Sequence, residues 1–146
     1  MVRAMYLTTC LSVLLTHGAL AQGTSVKTLG QGQESGEMTE KTILVITSAA
    51  DFEALWKKMN VNVEPAPAAP VVDFTKSQVI AAFAGQKPSG GHEIQMRRLV
   101  AGAEGTEVQF ADVPPPEDAM TTMMMSSPYM MIEVPAGRPV KSSWAE

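Results

Sequence analysis

Six methionines crowd the twelve residues MTTMMMSSPYMM, positions 120 to 131. Thioether sulfur is a soft donor that suits Cu(I), so Met120, Met123, Met124 and Met125, helped by Met130 or His92, are candidate ligands of a copper site. The same side chain also fills irregular cores and builds adaptable binding surfaces. The alternation in PYMMIEV turns Met130 inward, which packing predicts and copper does not need. The leading expectation is therefore a packed wall with no cofactor. A row of Met123, Met125 and Met131 on the outer face would add an apolar docking patch.

Other chemistry finds less support. Nucleophilic catalysis needs a base beside the nucleophile and a third group to orient that base. Ser89, His92 and Asp73 can be drawn as such a set, but no G-x-S-x-G turn surrounds a serine. Zinc needs three or four His, Cys or carboxylate ligands, and the chain has two histidines, His17 and His92, and one cysteine, Cys10. GQKPSGG places its lysine before the paired glycines, the reverse of a phosphate-binding loop. No enzyme activity is expected.

The first 21 residues read as a leader. Arg3 is their only charge, AMYLTTCLSVLL is apolar, and Ala19-Leu20-Ala21 offers small residues before Gln22. The expectation is export to the periplasm or beyond, with no membrane span, because the apolar run is shorter than the roughly 20 residues a span requires. LTTC is a poor lipidation signal at Cys10. Cleavage would remove that cysteine together with Arg3, moving the net charge from -4 to -5. An acidic chain without a Lys/Arg run is not expected to bind nucleic acid.

The elements that would position these residues begin after QGTSVKTLGQGQESGEMTE, residues 22–40. Its few apolar groups cannot offset the entropy of ordering it, so it is expected to be a flexible tether, with the folded domain spanning 41–146. KTILVIT (41–47) reads as a strand covered on both faces. Ser48 followed by Asp51 caps a helix whose Phe52, Leu55, Trp56 and Met59 form one stripe. VEPAPAAPVVDF is a proline-rich loop and SQVIAAFAG a buried strand. HEIQMRRLV alternates, with Ile94, Met96 and Val100 on one face and Glu93, Gln95 and Arg97 on the other. Val108 and Phe110 continue a hairpin, PYMMIEVP is a further strand, and the tail adds a short edge strand anchored by Trp144. The class is α+β: a mainly antiparallel sheet of about five or six strands with one N-terminal helix packed on it.

VITSAADFEALWKKM, then F-x-G-x-K-P-S-G-G-x-x-I from Phe83 to Ile94, then SPY at Ser127 to Tyr129, together resemble the PrcB C-terminal-domain family, named for a subunit of a secreted bacterial protease complex. The resemblance spans about Ile43 to Pro135. Family members commonly carry tyrosine after the glycine pair, where this chain has His92. The resemblance implies a non-catalytic accessory protein that associates with an exported protease and stabilises it. Lys87, Pro88, Ser89, Gly90, Gly91 and His92 are then expected to form a rigid exposed hairpin turn that contacts the partner, with Pro128 and Tyr129 as further contacts. KPSGGH and GRPVKSSW (137–144) also resemble, more loosely, the loops of chagasin-like inhibitors of papain-type proteases.

Overall fold

The computed structural model describes residues 26–146; the leader, its Cys10 and residues 22–25 lie outside them. SQVIAAFA forms the centre of the molecule. This strand, β3 (Ser77–Ala84), follows β1 (Lys27–Gly32), β2 (Lys41–Ile46) and the helix α1 (Ala49–Met59). After it come β4 (Glu93–Gly102), β5 (Gly105–Val113), β6 (Tyr129–Pro135) and β7 (Val140–Trp144). The strands make a four-stranded sheet ordered β1-β6-β3-β2 and a three-stranded sheet ordered β4-β5-β7. All pairs are antiparallel except β5 with β7.

Three layers result, and the period-2 alternation of β3 explains them. Val79, Ala81 and Phe83 face α1, where they pack with Phe52, Leu55, Met59 and Met131. Ile80, Ala82 and Ala84 face the three-stranded sheet, where they pack with Ile94, Val108, Phe110, Ile132 and Val134. The α+β class holds, and so does α1: Ser48 Oγ accepts from the Asp51 amide at 3.2 Å and donates to its carboxylate at 2.8 Å. The tail strand is also as expected, with the Trp144 ring 6.2 Å from that of Phe110 and Lys41 above it.

Four expectations need correction. Lys27–Gly32 is not part of a flexible tether: it forms β1, the seventh strand, on the outer edge of β6. Pairing with the open edge of β6, over five residue pairs from Lys27–Glu133 to Gly32–Tyr129, supplies what its own sequence lacks in apolar drive. β2 is an edge strand whose faces are only partly covered: Leu44 and Ile46 pack under α1 and Ile43 between the sheets, but Val45 is exposed. A register shift between Met96 and Arg98 breaks the alternation of β4. Leu99 turns inward while Val100 is exposed, because a bulge moves every later side chain to the other face; Met96, just before the bulge, is exposed as well. Finally, Lys87–His92 is not a hairpin turn, since β3 and β4 belong to different sheets. It is the corner by which the chain crosses from one layer to the next.

Candidate functional site

The corner gathers segments that are distant in sequence. Lys87 and Ser126 exchange two backbone hydrogen bonds, 2.7 and 3.0 Å long. Ser126 Oγ donates to the Ser89 carbonyl at 2.7 Å, and the Gly90 amide donates to the Thr122 carbonyl at 3.0 Å. A Cβ on Gly90 would lie 2.4 Å from Thr122 Oγ1, and one on Gly91 would lie 3.0 Å from Pro115; Gly91 also has φ +85°. The glycine pair is thus the seat on which the methionine loop rests. Gln33 reaches the His92 carbonyl from beyond the end of β1, and Ser127 Oγ accepts from the Ser35 amide at 3.0 Å.

Beneath the corner, Lys87 Nζ pairs with Asp112 Oδ2 at the end of β5. His92 Nδ1 lies 3.8 Å from Asp112 Oδ1, and both atoms are buried without a hydrogen-bond partner. Lys87 and His92 therefore point partly inward; Pro88 and Gly91 are the exposed members of the segment, with Ser89 and Gly90 half-buried. Pro128, expected as a contact, is instead fully buried, and its carbonyl accepts from the Ala84 amide. Tyr129 is half-buried, its ring lying over Gly30 and Gly32 of β1. Burial raises its phenol pKa above the ordinary value.

The methionines divide sharply. Met131 is wholly buried against α1, and Met130 is half-buried on the opposite face of β6. The packed wall is therefore right for the strand and wrong for the loop. Met120 is fully exposed, and Met123, Met124 and Met125 are 91%, 72% and 63% exposed. Met131 drops out of the expected outer row because both faces of β6 are covered, one by the core under α1 and the other by the core between the sheets. The loop that carries the other four is fixed at the corner by the backbone bonds at Thr122 and Ser126.

The catalytic set does not assemble. Asp73 precedes β3, while Ser89 and His92 follow it, and the seven residue steps from Ser77 to Ala84 span roughly 23 Å. Asp73 is occupied locally: the Thr75 hydroxyl, with the Thr75 amide, holds its pKa below the ordinary carboxylate value, which makes it a weaker base. The acid beside His92 is Asp112, which no sequence spacing marked. Among the described residues no group of three or more His, Cys, Asp or Glu could hold a metal ion. Nor is any helix there long and apolar enough to cross a membrane.

Residues 78–135 match the family model described as PrcB C-terminal. The match runs from β3 to the end of β6 and takes in every part of the corner except Gln33 and Ser35. This segment is similar to the PrcB C-terminal family. No curated protein and no solved structure matched the chain. In PrcB C-terminal terms the matched part is the two inner strands β3 and β6, the β4–β5 hairpin and the methionine loop. β1, β2, α1 and β7 complete the layers around it.

Proposed function

We propose that this protein is an exported, non-catalytic accessory protein that docks on a protease and stabilises it. Its contact surface is the loop Met120–Met125 together with the exposed side of the Lys87–His92 corner. The observation that carries this reading is the pairing of exposure with anchorage: four large apolar side chains stand in solvent on a loop fastened by backbone bonds at Thr122 and Ser126. A fixed apolar surface loses little further freedom on binding, which favours association, and methionine adapts its shape to the surface it meets. The PrcB family description supports a protease complex as the setting.

The test adds the protein in equimolar amount to an exported protease of the same organism and follows the half-life of protease activity at raised temperature. The half-life lengthens, and the variant Met123→Ser/Met124→Ser/Met125→Ser loses the effect while staying folded. Unchanged half-life with no co-migration of the two proteins would sink the proposal. Stoichiometric inhibition of a papain-type protease would instead support the chagasin-like reading.

The exposure of four thioethers also favours a second reading, a Cu(I) carrier using Met120, Met123, Met124 and Met125. Competition against a chromophoric Cu(I) chelator decides it. An affinity weaker than about micromolar, or one untouched by Met123→Leu with Met125→Leu, dismisses this reading.

A further inference from the structure

We infer that the Met120–Met125 loop is a site of methionine oxidation, and that sulfoxide formation there withdraws the apolar surface without unfolding the protein. The second half rests on the docking reading above; the first does not.

Three observations lead to this. The first is selectivity. Met123 stands 91% exposed and Met125 63%, against 37% for Met96 on β4, whereas Met131 is fully buried, Met59 nearly so, and Met38 and Met130 are half covered by the two cores. An oxidant in solution reaches the loop sulfurs directly and reaches the core sulfurs only when the structure opens. The second is mechanical. The bonds that fasten the loop join Lys87 to Ser126, Gly90 to Thr122, and Ser126 Oγ to Ser89, all through backbone or hydroxyl atoms. No methionine side chain takes part, so a polar S=O on the loop enters water and leaves the anchorage whole. The same change at Met131 would place an unpaired polar group beside Phe52 and Phe83. The third is the absence of competition. The single cysteine of the sequence is Cys10, so from residue 26 to the end methionine is the only sulfur an oxidant can meet.

The step is a two-electron oxygen transfer with hydrogen peroxide as oxidant. A thioether lone pair attacks one peroxide oxygen; the S–O bond forms as the O–O bond breaks, and the departing oxygen takes up a proton and leaves as water. Sulfur is oxidised to the sulfoxide and peroxide is reduced. A thiol-dependent sulfoxide reductase reverses the change.

The experiment treats the intact protein with graded hydrogen peroxide and maps each methionine by peptide mass spectrometry. Met120, Met123, Met124 and Met125 gain oxygen at least about tenfold faster than Met59 and Met131. The oxidised protein keeps its near-ultraviolet circular dichroism, elutes earlier from a native hydrophobic-interaction column, and returns to its original position after treatment with the reductase. A variant with leucine at all four loop positions and at the exposed Met96 of β4 (Met120→Leu, Met123→Leu, Met124→Leu, Met125→Leu, Met96→Leu) keeps its elution position under the same treatment. Equal oxidation of Met131 and the loop, or loss of the dichroism signal as the loop is oxidised, overturns the site. Oxidation confined to the loop that leaves protease stabilisation intact overturns the withdrawal of the docking surface while the modification site stands.

Discussion

Met131 and Met124 belong to one methionine-rich segment and occupy opposite environments, so truncating each separates core from surface. Met131 is sealed between α1 and the four-stranded sheet. Met131→Ala therefore removes buried contacts and leaves a cavity, at a cost of about 2–5 kcal/mol. Met124→Ala removes a side chain already in water and changes stability by no more than about 0.5 kcal/mol. Urea unfolding of the two variants measures both, and equal losses would return the loop to the core. Tyr129 carries a second prediction. Its phenol has a raised pKa because burial disfavours the phenolate, the ordinary value being 10.0. The unfolded chain thus gives up this proton at lower pH than the folded one. The contribution of the neutral ring to stability is complete below pH 10 and is lost as the pH rises through the folded value. Tyr129→Phe has no proton to lose, so its stability falls less steeply above pH 10 than that of the parent; identical slopes would refute the assignment. The residue scale is also where the corner was hardest to read. KPSGGH is visible as a Pro- and Gly-bearing segment, but Asp112, which binds Lys87 and faces His92, sits at the end of another strand with no local mark.

Elements whose own sequence carries the whole signal were legible. α1 has its cap at Ser48 and its stripe at Phe52, Leu55 and Met59, all buried as the period demands. β3 has an unbroken apolar run, the pattern of a strand covered twice. β1 is the opposite case: KTLGQG offers one apolar side chain and two glycines, and becomes a strand because β6 presents an open edge and Tyr129 needs glycine beneath its ring. Nothing short of the assembled sheet contains that information. The bulge in β4 is likewise invisible in HEIQMRRLV, yet it decides which of Leu99 and Val100 is buried. The segment joining β1 to β2 has an equally structural role, and Gly36 tests it. Gly36 has φ +57°, and a Cβ there would lie 2.3 Å from the Lys58 carbonyl oxygen and 2.6 Å from that of Met59, at the end of α1. The Glu37 amide closes the same contact by donating to the Lys58 carbonyl at 3.1 Å. Gly36→Ala must push the segment off the helix, lowering stability by about 2 kcal/mol or more. A thermal melt within a degree of the parent would restore the tether.

At the scale of the whole molecule, the two cores are separate lists of side chains but not separate bodies. β3 gives Val79, Ala81 and Phe83 to the core under α1, and Ile80, Ala82 and Ala84 to the core between the sheets. β6 does the same with Met131 on one face and Ile132 and Val134 on the other. Loss of either core strips one face of both strands, and the remaining core cannot keep their hydrogen-bonded register alone. The corner depends on this, because Lys87–His92 leaves β3 for the second sheet while the methionine loop returns from β5 to β6. If the sheets parted, the loop would lose its seat. The chain holds a reporter for each core: Trp56 packs at the edge of the first, its Nε1 donating to the Pro67 carbonyl at 2.8 Å, and Trp144 lies tilted against Phe110 in the second. These are its only tryptophans. Trp144→Phe leaves Trp56 to report the first core by fluorescence, and Trp56→Phe leaves Trp144 to report the second. Within each variant, the urea midpoint from the remaining tryptophan coincides with that from far-ultraviolet circular dichroism, because the shared strands make unfolding a single step. Two separated midpoints within one variant would mean that β3 and β6 can hold one core without the other, and that the loop's anchorage can fail while α1 stays in place.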